Sequence, residues 1–249
     1  MNYHWNWMIF WEPSPDGVGT YLDMLLSGLY WTLVTSACAW VLALGLGSFV
    51  GVARTLKGSW LARAGTVYVE LFRNIPLLVQ LFLWYFVLPE LLPADLGDWL
   101  KQLPNASFYT AVVALGFYTS ARVAEQVRAG ILSLARGQGW AALALGLTPT
   151  QAYLYVLLPM AYRIILPPLT SEFLNIIKNS AVALTIGLME LTARARAMQE
   201  FSFQVFEAFT AATVIYIVIN MMVTFGMRWI ERRASVPGFI GAAPAASMH

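Results

Sequence analysis

Five apolar stretches, each about as long as a bilayer is thick, constrain this chain more than any other feature. A transmembrane helix needs about 20 mostly apolar residues. The chain has 249 residues, 59% hydrophobic and 11% charged, whereas about a quarter of the residues in soluble domains are charged. The predicted spans cover residues 28–52, 66–88, 108–128, 153–174 and 208–229. The apolar stretch Ala181–Met189 is too short to span, and we expect an interfacial or re-entrant helix there. These patterns predict an all-α integral membrane protein with five transmembrane helices.

The first span contains several glycines and the fourth span contains several prolines. Gly45, Gly47 and Gly51 in the first span have no Cβ and predict a close approach by a neighbouring helix. Proline lacks the N–H group that an α-helix needs, so Pro159 and the pair Pro167–Pro168 predict a bent fourth span.

The charges between the spans predict an orientation, because cytoplasmic loops are enriched in Lys and Arg. Basic residues dominate the first loop, the third loop and the C-terminal flank, namely Arg54, Lys57 and Arg63, then Arg136, then Arg228, Arg232 and Arg233. Acidic residues dominate the N-terminal flank and the second loop, namely Glu12, Asp16 and Asp23, then Glu90, Asp95 and Asp98. We therefore expect the N-terminus outside and the C-terminus in the cytoplasm. Arg194 and Arg196, in a predicted outer loop, count against this orientation.

The flanks of the spans differ in composition from the spans themselves. Residues 1–26 contain an aromatic cluster and two prolines but no Lys or Arg, which predicts a periplasmic or interfacial segment rather than a signal peptide. Residues 27–233 then form a single transmembrane domain. Residues 234–249 are rich in Ala, Gly and Pro, and we expect a disordered cytoplasmic tail.

Motifs of hydrolytic chemistry are absent from the sequence. It contains no GxxxxGK[ST], HExxH or GxSxG pattern. His4 and His249 lie at the two ends, and Cys38 is the only cysteine, so we expect no metal site, no cofactor and no catalytic residue. A membrane enzyme would need a cluster of His, Asp or Glu on one face. The chain is therefore not predicted to be an enzyme.

The segment WAALALGLTPTQAYLYVLLP, residues 140–159, predicts two helices joined by a sharp turn. Gly146 can end the first helix because glycine adopts the left-handed conformation at little cost. Thr148 suits the N-cap of the second helix, Pro149 its first position and Gln151 the third residue of a capping box. One alternative is a turn that merely connects two transmembrane helices.

The same segment resembles the cytoplasmic coupling loop of permease subunits of bacterial ABC importers. The residues of the resemblance are Ala141, Ala142, Gly146, Leu158 and Pro159, within a predicted coupling loop 138–159. Trp140 departs from it, because the family often has an acidic residue there. Three further segments, residues 68–82, 121–131 and 167–181, resemble those of polar amino-acid permeases. The resemblance implies the type I ABC importer permease fold and docking of the loop onto a separate ATPase.

Charged side chains inside the spans are costly and become candidates for function. An acidic and a basic side chain three residues apart on a helix can pair on one face. This spacing predicts structural pairs of Glu70 with Arg73 and of Glu125 with Arg128. The second pair follows Arg122 in the third span. The candidates for the substrate pathway are Lys178, Glu172, Arg73 and Ser180.

The resemblance implies the membrane-spanning subunit of an ATP-driven importer for polar amino acids, with glutamate or aspartate as the expected substrate. Its implied partners are two ATP-binding subunits, a second permease subunit (identical or homologous), an extracytoplasmic solute-binding protein and the lipid bilayer, with no nucleic acid. The implied location is the bacterial inner membrane. Glutamine, arginine or histidine stay open as substrates. A secondary transporter is the other alternative, although the inverted repeats typical of that class are not visible.

Overall fold

The computed structural model describes residues 3–17, 19–56 and 58–234, and in that part of the chain it is helical and contains no strand. The α-helices are α1 (Tyr21–Ala53), α2 (Trp60–Asn74), α3 (Leu77–Phe82), α4 (Leu88–Leu91), α5 (Ala94–Gln102), α6 (Ala106–Ser133), α7 (Arg136–Ala144), α8 (Pro149–Ala152), α9 (Leu158–Asn179), α10 (Leu191–Ser202) and α11 (Val205–Ala234). The described residues also form two 3₁₀ helices, Trp7–Trp11 and Ser180–Ile186. They further form two π-helical turns, Leu83–Val87 and Tyr153–Leu157. The predicted tail lies outside the described residues, apart from Ala234.

Within the described residues, three helical segments are long and apolar enough to cross a membrane: α1, the run Pro149–Ile186 and α11. The bent pair Trp60–Asn74 and Leu77–Leu91 is a fourth if both parts count as one span. Helix α6 has 28 residues, but it also contains Arg122, Glu125 and Arg128. Helices α1, α6 and α11 contain the first, third and fifth apolar stretches of the sequence.

The second predicted span is not one straight helix, because the chain bends by 103° between α2 and α3. Pro76 lies at the bend, and Ile75 before it is extended (φ −94°, ψ 126°), as the ring of a following proline requires. The buried Gln80 compensates for the break: its Nε2 donates to Phe72 O at 2.9 Å and to Ile75 O at 3.0 Å. Without Gln80 these carbonyl groups would lack a partner in an apolar environment.

Helices α1 and α6 form the most extensive contact and run parallel. A Cβ at Gly47 would lie 2.7 Å from Ser120 O, and one at Gly51 would lie 2.8 Å from Ala124 O. The helices approach this closely because neither glycine has a side chain. The prediction of close contact is confirmed for Gly47 and Gly51 but is wrong for Gly45, beside which there is open space.

Helix α9 runs antiparallel to α1. Near one end of α1, the Thr55 hydroxyl is 3.0 Å from the Tyr153 hydroxyl, and towards the middle the rings of Trp40 and Phe173 pack with centroids 5.2 Å apart and planes tilted by 34°. Helix α11 then packs against α9, where Thr170 Oγ1 donates to Glu231 Oε1 at 2.7 Å.

Each π-helical turn lies directly before a Leu–Pro pair. Leu88 N–H bonds to Leu83 O and Leu158 N–H bonds to Tyr153 O, and each leucine precedes a proline. Because proline cannot donate and its ring clashes with the carbonyl four residues earlier, one wider turn accommodates it. The helical run Pro149–Ile186 continues through Pro167–Pro168.

The predicted outer loop around Arg194 is the helix α10. Its N-cap is the fully buried Glu190, whose carboxylate accepts from the N–H groups of Thr192 and Ala193 at 2.9 and 2.7 Å. Burial raises the pKa of Glu190, and these hydrogen bonds act in the opposite direction. Arg194 forms an ion pair with Asp16.

Candidate functional site

The predicted turn between two helices at residues 140–159 is present. Helix α7 ends at Ala144, and Gly146, the residue after its C-cap Leu145, has φ +85°. Gly146 N donates to Leu143 O at 3.0 Å and Leu147 N donates to Ala142 O at 3.2 Å. These two bonds form the motif with which glycine commonly ends a helix. The prediction that Gly146 ends this helix is confirmed.

The start of the next helix also follows the sequence prediction. Thr148 Oγ1 accepts from Gln151 N at 3.3 Å, and Thr148 N donates to Gln151 Oε1 at 2.8 Å. This reciprocal pair is a capping box, with Pro149 as the first helical residue. The turn is therefore stabilised from both sides by residues 146–151.

The segment presents an apolar surface outward. Trp140 is 72% exposed and Leu145 is 84% exposed, while Ala142 is buried at 3%. Ala141 is exposed, so the two alanines lie on different sides of α7. Exposed apolar residues of this size mark surfaces that bind protein or lipid.

Leu158 and Pro159 lie at the start of α9, just after the π-helical turn. Leu158 is half-buried and Pro159 is exposed. Tyr153 in the π-helical turn contacts Thr55, which lies two residues after the end of α1. Tyr162, one turn after Leu158, contacts Ser48 within α1. The apolar surface at residues 140–145 is therefore connected to α1 through two tyrosine contacts.

A charged cavity of about 580 Å³ forms where α2, α6 and α9 meet. Glu125 Oε1 contacts Arg54 Nη1 at 2.9 Å and Arg73 Nη1 at 3.1 Å. One carboxylate thus joins three helical segments. The Arg54 side chain is 7% exposed, whereas the Glu125 side chain is 31% exposed, so this ion pair is shielded from solvent on the Arg54 side.

The second half of the cavity contains Arg122 and Glu172. Their closest charged atoms are 3.9 Å apart, and Gln126 Nε2 donates to Glu172 Oε1 at 3.3 Å. Arg122 also lies over the Tyr118 ring at 4.6 Å. Two of the four predicted pathway residues, Arg73 and Glu172, therefore line the same cavity.

The predicted charge pairs along one helix are corrected by this geometry. Arg73 pairs with Glu125 rather than Glu70, and Glu70 accepts from Asn74 Nδ2 at 3.4 Å. Within the described ranges Glu125 makes no ion pair with Arg128. Spacing along one helix cannot identify partners on other helices, and in the sequence Arg54 is only a loop charge.

The other two pathway candidates, Lys178 and Ser180, lie away from this cavity. Lys178 is exposed and belongs to the last turn of α9, where it lines a groove of about 680 Å³ between α9 and α11. Ser180 is fully buried, and its hydroxyl donates to Ile177 O at 2.8 Å. The structure therefore does not bring the four candidates together.

Comparison with known families identifies the chain. Residues 43–236 match the model of the binding-protein-dependent transport system inner membrane component. The chain belongs to this family. It is thus the membrane component of a binding-protein-dependent transport system, and the resemblance predicted from the sequence is confirmed.

Relatives of this inner membrane component transport amino acids. The chain is 50% identical over 244 residues to the glutamate/aspartate import permease protein GltJ of Escherichia coli K12, with 97% of this chain and 99% of the relative covered. It is 36% identical over 211 residues to the probable glutamine ABC transporter permease protein GlnM of Bacillus subtilis, with 85% of this chain and 93% of the relative covered.

Solved structures share the fold. A chain in the crystal structure of an amino acid ABC transporter with histidines superposes with a TM-score of 0.72 at 33% identity, covering 86% of this chain and 95% of that one. A chain of the MetNI methionine ABC transporter superposes with a TM-score of 0.71 at 20% identity, covering 86% of this chain and 98% of that one, which shows a common fold. The chain therefore has the type I ABC importer permease fold.

Proposed function

We propose that this inner membrane component is the permease subunit of an ATP-driven importer for glutamate and aspartate. The observation that supports it most strongly is the 50% identity to GltJ, which extends over nearly the whole of both chains. The protein itself is not an enzyme in this proposal. A separate ATP-binding partner hydrolyses ATP, and no cofactor takes part.

The proposed topology has five spans, with the N-terminus outside the bacterial inner membrane and the C-terminus in the cytoplasm. The parallel course of α1 and α6 supports it, because the chain between them must cross once in the return direction. The bent segment of α2 to α4 provides that crossing, and α9 and α11 provide the fourth and fifth. Arg194 and Arg196, which count against this orientation, each contact an acid, Asp16 and Glu200 respectively. The segment 1–26 then lies at the outer face and the tail 234–249 at the inner face.

The coupling role belongs to the segment 138–159 in this proposal. Its apolar exposed side chains, Trp140 and Leu145, would be covered by a groove on the ATP-binding subunit. Ala141, Ala142, Gly146, Leu158 and Pro159 shape this surface. Movement there would reach α1 through the Tyr153–Thr55 contact. The assembly would contain two ATP-binding subunits, a second permease subunit and an extracytoplasmic binding protein.

The proposed substrate path uses the four candidates in different ways. Arg73 and Glu172 line the charged cavity, and Lys178 lines the groove between α9 and α11. Ser180 acts indirectly by fixing the end of α9, since its hydroxyl bonds to the backbone.

A second candidate substrate is glutamine. Similarity to GlnM of Bacillus subtilis and 32% identity to the glutamine transport system permease protein GlnP of Escherichia coli K12 favour it. Lower identity over a smaller share of this chain makes it the weaker proposal.

The test is uptake in cells that lack their own import of acidic amino acids. Expression of this chain with its ATP-binding and binding-protein partners should restore uptake of labelled glutamate and aspartate. Excess unlabelled aspartate should compete, whereas glutamine, arginine and histidine should not. Uptake of glutamine that aspartate fails to inhibit would contradict the proposal.

A further inference from the structure

The groove between α9 and α11 is lined on its α11 side by polar side chains that lie on one helical face. These side chains are Thr213, Asn220, Thr224 and Arg228, and Lys178 faces them from α9. The volume of about 680 Å³ exceeds that of the charged cavity and is ample for an amino acid. This surface is separate from the one that contains Arg73 and Glu172.

The charge of the groove is not compensated. Its lining contains two cations, Lys178 and Arg228, and no acid. Neither cation makes an ion pair or a hydrogen bond with any residue in the described ranges. In the charged cavity, by contrast, Glu125 and Glu172 offset the guanidinium groups. The groove therefore presents two cations that have no carboxylate partner within the described residues.

Lys178 lies deep within the helical layer. Phe173 packs against Trp40, which is close to the middle of α1. Lys178 follows Phe173 by five residues, and five helical residues rise about 7.5 Å. The ammonium group is therefore carried by a part of α9 that is level with the middle third of α1. An unpaired charge at such a depth is costly unless it lines a polar path or meets a partner.

The threonine and asparagine side chains of the groove already make hydrogen bonds within α11, so Lys178 and Arg228 are the groups available to bind an anion. The hydroxyl groups of Thr213 and Thr224 donate to carbonyl groups of their own helix, Phe209 O and Asn220 O, each at 2.7 Å. Asn220 Nδ2 donates to Tyr216 O at 2.7 Å, and Asn220 Oδ1 has no partner within the described part of the chain. An unpaired buried acceptor is costly, but Asn220 Oδ1 is not exposed to the groove.

We infer that the α9/α11 groove is the carboxylate-binding part of the substrate path, with Lys178 and Arg228 as successive contacts for the carboxylates of an acidic amino acid. The inference rests on the proposed function and deepens it. Glutamate carries two carboxylates, which match the two cations of the groove. Glutamine carries one carboxylate and would leave one cation without a partner, so the groove discriminates by charge.

The test measures binding to the assembled transporter without its binding protein, because that protein would otherwise dominate the apparent affinity. The complex of this chain with its permease and ATP-binding partners is purified, and labelled glutamate is bound at equilibrium. Lys178→Gln and Arg228→Gln should each weaken binding about tenfold or more, as expected for the loss of one charge-assisted contact. Lys178→Arg should keep most of the affinity. Arg163→Gln, which removes an exposed cation of α9 outside the groove, should bind as wild type.

Failure of the inference is distinguishable from failure of the proposed function. If the wild type imports no glutamate, the proposed function is wrong. If it imports glutamate and both glutamine variants bind like wild type, the function stands and the groove is not the site. Loss of the second permease subunit from the Lys178→Gln complex would instead identify the groove as a subunit contact. A defect seen only in vesicles that contain anionic lipid would identify it as a lipid site, and either result overturns the inference.

Discussion

Position 146 requires glycine because of its left-handed backbone conformation, and not because a side chain would lack room there. Its φ is +85° and nothing lies within 4 Å of a Cβ built there. A residue with a Cβ costs roughly 1–2 kcal/mol in the left-handed region, and a β-branched one costs more. Gly146→Val should therefore distort the end of α7 and lower uptake several-fold at an unchanged protein level in the membrane.

Gly137→Val is the matched control, because Gly137 also has open space around it but lies inside the helix α7. Uptake is measured with labelled glutamate, and membrane level by immunoblot. Equal uptake by the two variants would show that the left-handed turn does not matter for transport.

Glu125 stabilises the junction of α1, α2 and α6 through two arginines. Glu125→Gln leaves the guanidinium groups of Arg54 and Arg73 facing each other without a carboxylate. Removing one partner of a buried ion pair costs about 3–5 kcal/mol, and we expect roughly 1–3 kcal/mol because Glu125 is 31% exposed. Glu70→Gln removes an acid whose one hydrogen bond within the described residues is from Asn74, and this variant should change little. Thermal unfolding of the purified protein in detergent distinguishes them, and equal melting temperatures would contradict this role.

At the scale of elements, the contact of α1 with α6 depends on Gly47. A Cβ there would meet backbone and the Val123 side chain at 2.7 Å, and backbone cannot move aside cheaply. Gly47→Ala should force the two helices apart and lower the melting temperature by several degrees, since overpacking typically costs about 1–3 kcal/mol. Gly45→Ala, on the same helix but beside open space, should leave it unchanged or raised. A Gly47→Ala protein as stable as the Gly45→Ala protein would refute the packing argument.

Elements differed in how well the sequence could predict them. The apolar stretches within α1, α6 and α11 and the turn at Gly146 follow from local composition, because hydrophobic length and capping residues act over a few positions. The bend of 103° between α2 and α3 was missed, since apolar length does not give direction, although Pro76 was a signal. The helix α10 was missed because its N-cap, Glu190, is buried by distant parts of the chain.

The candidate site was predictable as a set of residue types but not as an arrangement. Charges inside apolar stretches single out Arg73, Glu172 and Lys178 as candidates, and their role in the substrate path stays a prediction. Their partners lie on other helices, and a spacing of three residues provides no information about those contacts. In the sequence Arg228 is only a charge of the C-terminal flank and Asn220 lies in an apolar stretch, whereas both line the groove that α9 and α11 form together.

For the whole molecule, orientation decides which face meets the ATP-binding subunit. The parallel α1 and α6 and the basic loops favour the segment 138–159 inside and the acid-rich segment 89–104 outside. A cysteine at Asp95 should react with a membrane-impermeant thiol reagent in intact spheroplasts, and a cysteine at Gln138 should react only after the membrane is opened. Both are introduced in a Cys38→Ala background, because Cys38 is exposed and would add its own signal. Labelling at Gln138 but not at Asp95 in intact spheroplasts would reverse the orientation. The α7 surface with Trp140 and Leu145 would then face away from the cytoplasm, where it could not couple ATP hydrolysis to the movement of α9.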